Sequence, residues 1–182
     1  MAILSEVAPF LSWPLYVIGN TRNPDGKETV FSGVQVLETM PQKEIAKWFS
    51  RAAIYVLPAK YEPFGLTVLE AALAECAIVI GDIPSLREIW GPCALFVPPK
   101  NAGAILNTVQ FLIENPVFRR ELGEAARLRA LELTPARMAE QYMHKYQQIL
   151  KRSSLYPAFE MIPVSSTGHQ FRTDIDGPDP DL

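Results

Sequence analysis

The sequence predicts an α/β protein with a doubly wound parallel sheet and helices on both faces. Two patterns predict this fold: short runs of consecutive apolar residues recur along the chain, and segments with helical periodicity separate them. Consecutive apolar residues are typical of strands that are buried on both faces of a parallel sheet. The third observation is size, because 182 residues with 48% hydrophobic content suffice for one substantial core.

The predicted elements alternate along the chain. After a short N-terminal helix, the apolar runs predict strands over residues 15–18, 30–34, 54–57, 78–80 and 95–97. The patterns between and after them predict helices over residues 41–53, 66–76, 101–114, 116–133 and 135–152. Thr134 and Pro135 support the start of the last helix, since threonine caps helix N-termini and proline favours the first helical position.

The elements predict one domain over residues 1–152 and a disordered tail over residues 153–182. The tail contains four prolines and ends in the acidic sequence DIDGPDPDL. Two Asp-x-Asp pairs within it, at residues 174–176 and 179–181, are similar to a metal-binding motif. No predicted strand flanks them, so we interpret both pairs as chance matches.

Composition and charge exclude several classes of function. The net charge is −3 and the basic residues are dispersed over predicted helices, so no nucleic-acid surface is expected. No apolar run approaches the roughly 18 residues of a membrane span, so no transmembrane segment is expected. Cys76 and Cys93 fit no metal or redox spacing. We expect both to be buried and reduced, which suits a cytoplasmic protein.

Two carboxylates define the candidate site. Glu62 and Glu70 are eight positions apart in the segment YEPFGLTVLE. Glu62 follows the strand predicted over residues 54–57, and open α/β sheets bind ligands beyond the carboxyl ends of their strands. Gly65 permits close backbone approach, and a helix beginning near Leu66 directs free N–H groups at the same loop, which favours phosphate. A second interpretation stays open, in which Glu62 is a solvated loop residue and Glu70 satisfies a structural partner.

The segment around this pair resembles the group 1, family-four retaining glycosyltransferases. EPFGLTVLEA resembles their signature of two glutamates separated by seven residues. The likeness continues through AIYVLPAKYEPFGLTVLEAALAECAIVIGDIPSLREIWGPCALFVPP, covers about residues 13–150 and is strongest to the mannosyltransferase-like subset. The resemblance implies the GT-B fold, in which this chain would be the C-terminal, Rossmann-like, donor-binding half with its first strand missing.

The resemblance also implies a role for each matching residue. Glu62 would be the catalytic residue that contacts the donor sugar near its reacting carbon, and Glu70 would bind the ribose hydroxyls. Gln35, in the segment 34–36, would approach the nucleotide base. Four consecutive residues would present backbone or side-chain groups to the sugar and the diphosphate: Phe64, Gly65, Leu66 and Thr67. No metal ion or cofactor is implied, because protein cations and the helix terminus would stabilise the leaving diphosphate.

The implied reaction is retaining transfer of a hexose from a UDP- or GDP-type sugar to a glycan or lipid-linked acceptor. The sequence departs from the family in lacking the Gly-Arg and following Lys-Gly motifs and the preceding acceptor-binding domain. We therefore expect this chain alone to be inactive. We expect the complete enzyme to be cytoplasmic, either free or at the inner membrane surface. A truncated, non-catalytic nucleotide-sugar-binding or interaction module is the alternative. A flavodoxin-like binding domain would explain the alternating elements but not the glutamate pair.

Overall fold

A computed structural model of the protein describes residues 2–20 and 31–153. Its strands are β1 (Tyr16–Ile18), β2 (Gln35–Leu37), β3 (Ile54–Leu57), β4 (Ala77–Gly81) and β5 (Leu95–Val97). Its helices are α1 (Ala2–Val7), α2 (Gln42–Phe49), α3 (Leu66–Leu73), α4 (Pro84–Trp90), α5 (Ala102–Glu114), α6 (Pro116–Glu132) and α7 (Pro135–Ser153). Short 3₁₀ turns, Ala8–Phe10 and Gly91–Cys93, follow α1 and α4. The predicted alternation of strands and helices is confirmed.

All strand pairs in the described residues are parallel, and they form two sheets. β1 pairs with β2, while β3, β4 and β5 form a three-stranded sheet with β4 in the centre. Val79 of β4 lies beside Val56 of β3 on one side and Leu95 of β5 on the other. The carboxyl ends of these three strands therefore lie at one edge, which is the edge where a ligand is expected.

Helices cover both faces of the three-stranded sheet, as predicted. On one face, Ile78 and Ile80 of β4 pack in a cluster with side chains of α3, α4 and α6, including Trp90. On the other face, Ala77 and Val79 of β4 pack with α1, α5 and α6. All five residues of β4 are buried. This burial explains why β4 has consecutive apolar residues, because neither of its faces meets water.

The prediction of the second strand is wrong. The apolar run at 30–34 predicts a strand there, but β2 begins at Gln35 and residues 32–33 form a bend. Gly33 has a φ of +70°, which is incompatible with extended backbone. β2 is instead aligned by its pairing with β1, where the Gln35 N–H donates to the Leu15 carbonyl oxygen at 2.8 Å. Val30 lies outside the described residues.

The helix predicted over residues 66–76 also ends earlier than expected, at Leu73. Glu75 adopts a left-handed backbone with a φ of +64°, which terminates the helix and turns the chain into β4. Just beyond the turn, Cys76 is buried as predicted, whereas Cys93 is only half-buried. Left-handed conformation is uncommon for a residue with a side chain, so apolar periodicity could not reveal it.

The chain divides into two compact units, Met1–Glu140 and Gln141–Leu182, and the division falls within α7. The fold and the candidate site described here belong to the first unit. The tail predicted over residues 153–182 lies, from residue 154 onward, outside the described residues and stays a prediction. None of the helices described is both long and apolar enough to cross a membrane.

Candidate active site

Glu62 lies in the loop that joins the carboxyl end of β3 to α3. Its side chain is half-buried, and its Oε1 accepts the Gly65 N–H at 2.9 Å and the Phe64 N–H at 3.4 Å. The carboxylate therefore folds back on its own loop and closes it against the N-terminus of α3. A charge-assisted hydrogen bond of this kind holds the loop in one conformation and leaves Oε2 without a protein donor among the described residues.

Gly65 makes this loop conformation possible. It precedes α3 with a φ of +82°, and its carbonyl oxygen accepts the Leu69 N–H at 3.0 Å. A Cβ at this position would lie only 2.9 Å from Val68 Cγ2, closer than side chains normally approach. Any larger residue must therefore displace either the Glu62 loop or the first turn of α3.

A second contact holds the same loop, and it comes from α4, the helix that follows the neighbouring strand β4. Ser85, in the first turn of α4, donates its hydroxyl to the Glu62 carbonyl oxygen at 2.6 Å. Asp82, directly after β4, pairs with the guanidinium of Arg87, and this hydrogen bond lowers the pKa of the Asp82 carboxyl. The Ser85 contact thus connects the loop after β3 to the start of α4, and it holds the Glu62 backbone at its carbonyl oxygen.

Glu70 lies on α3, five residues into the helix, and is half-buried. Its Oε1 accepts a hydrogen bond from Gln42 Nε2 of α2 at 2.9 Å. Gln42 is the kind of structural partner that the second interpretation of the pair requires. The contact is exposed, however, so a ligand hydroxyl could replace the amide without burying an unpaired carboxylate.

Tyr55 of β3 lies close enough to Glu62 and Glu70 for both carboxylates to affect its pKa, and it contacts α3 through Thr67. Its hydroxyl donates to Thr67 Oγ1 at 2.8 Å. Burial, opposed by the hydrogen bond with Thr67 and aided by the carboxylates of Glu62 and Glu70, raises the pKa of the Tyr55 phenol to about 12. Tyr55 is therefore protonated throughout the neutral range and can act there as a hydrogen-bond donor.

Two clefts lie at the carboxyl ends of the strands. The larger, of about 650 Å³, lies beyond β3 and β5, and its lining includes Glu62 with two lysines, Lys60 and Lys100, and Glu6 of α1. Neither lysine has an ion-pair partner among the described residues. The smaller cleft, of about 370 Å³, lies beyond β1 and β2 and includes Glu38 and Thr39.

The structure brings most, but not all, of the predicted site residues together. Glu62, Phe64, Gly65, Leu66 and Thr67 all lie in the loop before α3 or in its first turn, where Phe64 and Leu66 are 39% and 68% exposed. Gln35 lies on the two-stranded sheet, exposed at the N-terminal end of β2, and lines neither cleft. The role of Gln35 at the nucleotide base stays a prediction.

Sequence reasoning missed four residues of this edge. Tyr55 was hidden in an apolar strand, although a phenol hydroxyl in a buried run is itself a signal that a polar partner is near. Ser85 follows a helix-starting proline, which could have suggested a contact with a neighbouring loop. Gln42 and Lys100 carry no sequence signal that we can identify. Within the described ranges, no three His, Cys, Asp or Glu side chains lie close enough together to hold a metal ion.

Comparison with known proteins shows which family this chain resembles. The family model described as glycosyl transferases group 1 matches residues 22–129. An alpha-maltose-1-phosphate synthase from Mycolicibacterium smegmatis is 29% identical in an alignment of 151 positions that covers 72% of this chain and 39% of that protein. A D-inositol 3-phosphate glycosyltransferase from Pseudarthrobacter chlorophenolicus is 30% identical in an alignment of 136 positions that covers 72% of this chain and 32% of that protein.

Solved structures support the same fold. A sucrose-phosphate synthase from Thermosynechococcus elongatus superposes with a TM-score of 0.66 at 24% identity, covering 83% of this chain and 43% of its own. A glycosyltransferase from Rickettsia africae superposes with a TM-score of 0.65 at 17% identity. The chain spans about a third to two fifths of the length of the two curated relatives above. The resemblance to group 1 enzymes of GT-B fold is confirmed, and because the family match covers more than half of the 182 residues, this chain belongs to the group 1 glycosyl transferases.

Proposed function

We propose that this chain is the donor-binding part of a retaining glycosyltransferase that moves a hexose from a nucleotide diphosphate sugar to an acceptor. One observation carries the proposal: two partly exposed carboxylates, Glu62 and Glu70, flank the N-terminus of α3 at the carboxyl end of β3. Carboxylates bind sugar and ribose hydroxyls, and a helix N-terminus binds phosphate between them.

Glu62 serves the sugar end of the donor in this proposal. The two backbone N–H groups on Oε1 hold the carboxylate in place before the donor arrives, and Oε2 accepts hydroxyl groups near the reacting carbon. Preorganisation of this kind lowers the entropy cost of orienting the sugar. Glu70 serves the ribose by exchanging its Gln42 contact for hydroxyl donors.

The diphosphate lies between these two ends. Its oxygens gain negative charge as the bond from the anomeric carbon to the leaving oxygen breaks, so fixed positive groups aimed there contribute most to catalysis. The first-turn N–H groups of α3 have no intrahelical acceptors and provide one such group. Lys60 and Lys100, which line the larger cleft, provide two cations.

Transfer requires an acceptor and groups that hold it. Since the chain spans 39% and 32% of two relatives, we assign acceptor binding to a further domain of the complete enzyme. The acceptor oxygen forms its bond to the anomeric carbon on the face that the diphosphate leaves, and the acceptor's hydroxyl proton passes to the departing diphosphate oxygen. We infer that the 182-residue chain binds donor and that transfer needs the acceptor-binding partner.

Calorimetric titration of the 182-residue chain with UDP-, GDP- and ADP-hexoses tests the proposal. We expect one nucleotide class to bind, and both Glu62→Gln and Glu70→Gln to weaken that binding roughly tenfold, the cost of losing a charged hydrogen-bond acceptor. Glu88→Gln, on α4 and exposed, is the matched control and should bind as the wild type does. Absence of binding to all three nucleotide sugars, or equal binding by all variants, would overturn the proposal.

A further inference from the structure

Tyr55 occupies a position that the proposed donor contacts do not explain. It is the second residue of β3, and its ring packs edge-on against Phe49 of α2, with centroids 5.6 Å apart and planes at 79°. The ring contact alone would be served equally well by phenylalanine. The hydroxyl, however, reaches across to the first turn of α3 and donates to Thr67 Oγ1 at 2.8 Å.

The direction of this hydrogen bond determines what Thr67 can do. A threonine hydroxyl has one hydrogen to donate and accepts through its oxygen lone pairs. The two hydroxyls hold two hydrogens between them and their 2.8 Å contact uses one; when Tyr55 supplies it, Tyr55 occupies an acceptor position of Thr67 Oγ1 and the threonine hydrogen is left for another acceptor. Thr67 is exposed, so this hydrogen is available to a ligand at the N-terminus of α3.

We propose that Tyr55 is a positioning residue that fixes the Thr67 hydroxyl as a hydrogen-bond donor to a phosphate oxygen of the ligand. The inference rests on the proposed function, in which the donor diphosphate meets the first turn of α3. The charges around Tyr55 favour its role as the hydrogen-bond donor. Burial and the carboxylates of Glu62 and Glu70 keep the pKa of the phenol near 12, so Tyr55 retains the proton that it donates to Thr67 and does not become a phenolate, which could only accept.

The test uses a double-mutant cycle on the 182-residue chain, with inorganic pyrophosphate as the probe. We expect Thr67→Val to weaken pyrophosphate binding about tenfold, and Tyr55→Phe about three- to tenfold, since each loses one hydrogen bond that acts on a charged oxygen. The double variant should bind no more weakly than Thr67→Val alone, because Tyr55 acts only through that hydroxyl. Thr67→Ser keeps the hydroxyl and should bind within about threefold of the wild type.

Tyr16→Phe is the matched control, because Tyr16 also lies on a strand and also packs its ring on a residue of α2, Trp48, at 5.0 Å. It should leave pyrophosphate binding unchanged. The inference is overturned if the wild type does not bind pyrophosphate, if Tyr55→Phe binds as the wild type does, or if the two losses multiply in the double variant. Multiplied losses would show that Tyr55 acts independently of Thr67.

Competition separates this inference from the proposed function. Coupled losses for pyrophosphate, with no displacement by UDP-, GDP- or ADP-hexoses, would support the positioning role and overturn the proposed donor. Binding of a nucleotide sugar that is insensitive to Tyr55→Phe and Thr67→Val would support the proposed function and overturn the positioning role. Unfolding midpoints of the single variants, compared with Tyr16→Phe, identify any loss of binding that comes from misfolding.

Discussion

The two sheets of this chain differ in burial. Every residue of β4 is buried between helices on both faces, whereas no residue of β1 or β2 is fully buried. The well-covered three-stranded sheet also carries the Glu62 loop, Tyr55 and α3. The two-stranded sheet carries Gln35, the predicted base contact, on an exposed strand end. The difference teaches that the chemistry we propose at α3 rests on the well-buried sheet, while the base contact rests on the sheet with no fully buried residue.

Matched valine truncations should show the largest difference between the sheets. Val79 of β4 is fully buried, and Val36 of β2 is 42% exposed. We expect Val79→Ala to lower the free energy of unfolding by about 2–3 kcal/mol, the transfer cost of two methylene groups plus the cavity. Val36→Ala should cost less than about 1 kcal/mol. Urea unfolding measures both, and equal losses would contradict the contrast.

Alkaline unfolding should sharpen the comparison through the strand tyrosines. The pKa of Tyr55 is raised from 10.0 to about 12, so its neutral form stabilises the fold below pH 10 and this contribution is lost as the pH rises from 10 to 12. Between pH 10 and 12 we expect the wild type to lose about 2 kcal/mol of its free energy of unfolding through this group, and we expect Tyr55→Phe not to show that loss. Tyr16→Phe, on the two-stranded sheet, should retain the wild-type loss. Burial raises the pKa of Cys76 from 9.0 to about 11, so a separate loss begins near pH 9 in both variants.

Two glycine substitutions should give the smallest stability difference. Gly65 and Gly19 both have positive φ, at +82° and +133°, but a Cβ on Gly65 meets Val68 at 2.9 Å whereas a Cβ on Gly19 meets nothing within 4 Å. Backbone strain destabilises both alanine variants by about 1–2 kcal/mol, and the collision adds about 1 kcal/mol for Gly65→Ala. Thermal unfolding compares them, and a Gly65→Ala variant as stable as Gly19→Ala would show that the loop shifts freely.

The same difference in burial explains how much of the fold the sequence could predict. β3 and β5 were predicted to the residue, and β4 to within one residue at each end, because burial on both faces imposes consecutive apolar residues. β2 was missed because an exposed strand is defined by its partner, and the apolar run before it bends at Gly33. The early end of α3 depends on the left-handed Glu75, which hydrophobic periodicity does not encode.

The candidate site was predictable to a similar extent. The glutamate spacing and Gly65 identified one continuous segment, and the structure places that segment at the carboxyl end of β3. Partners from other segments could not be found, because Gln42, Ser85 and Lys100 approach only after the chain folds. Tyr55 was missed because the sequence does not show on which side of the strand its hydroxyl lies, and therefore does not show its contact with Thr67.

Hydrogen exchange with and without nucleotide sugar tests the central claim most directly. On addition of the UDP-, GDP- or ADP-hexose that binds, we expect slower exchange over residues 61–73, which hold the Glu62 loop and α3, and over residues 34–37 of the exposed sheet. Peptides from α6, residues 116–132, serve as the internal reference and should not change. Slower exchange at 61–73 alone would place the donor entirely on the well-buried sheet and contradict the role of Gln35. Unchanged exchange at 61–73 with every nucleotide sugar would contradict the account itself.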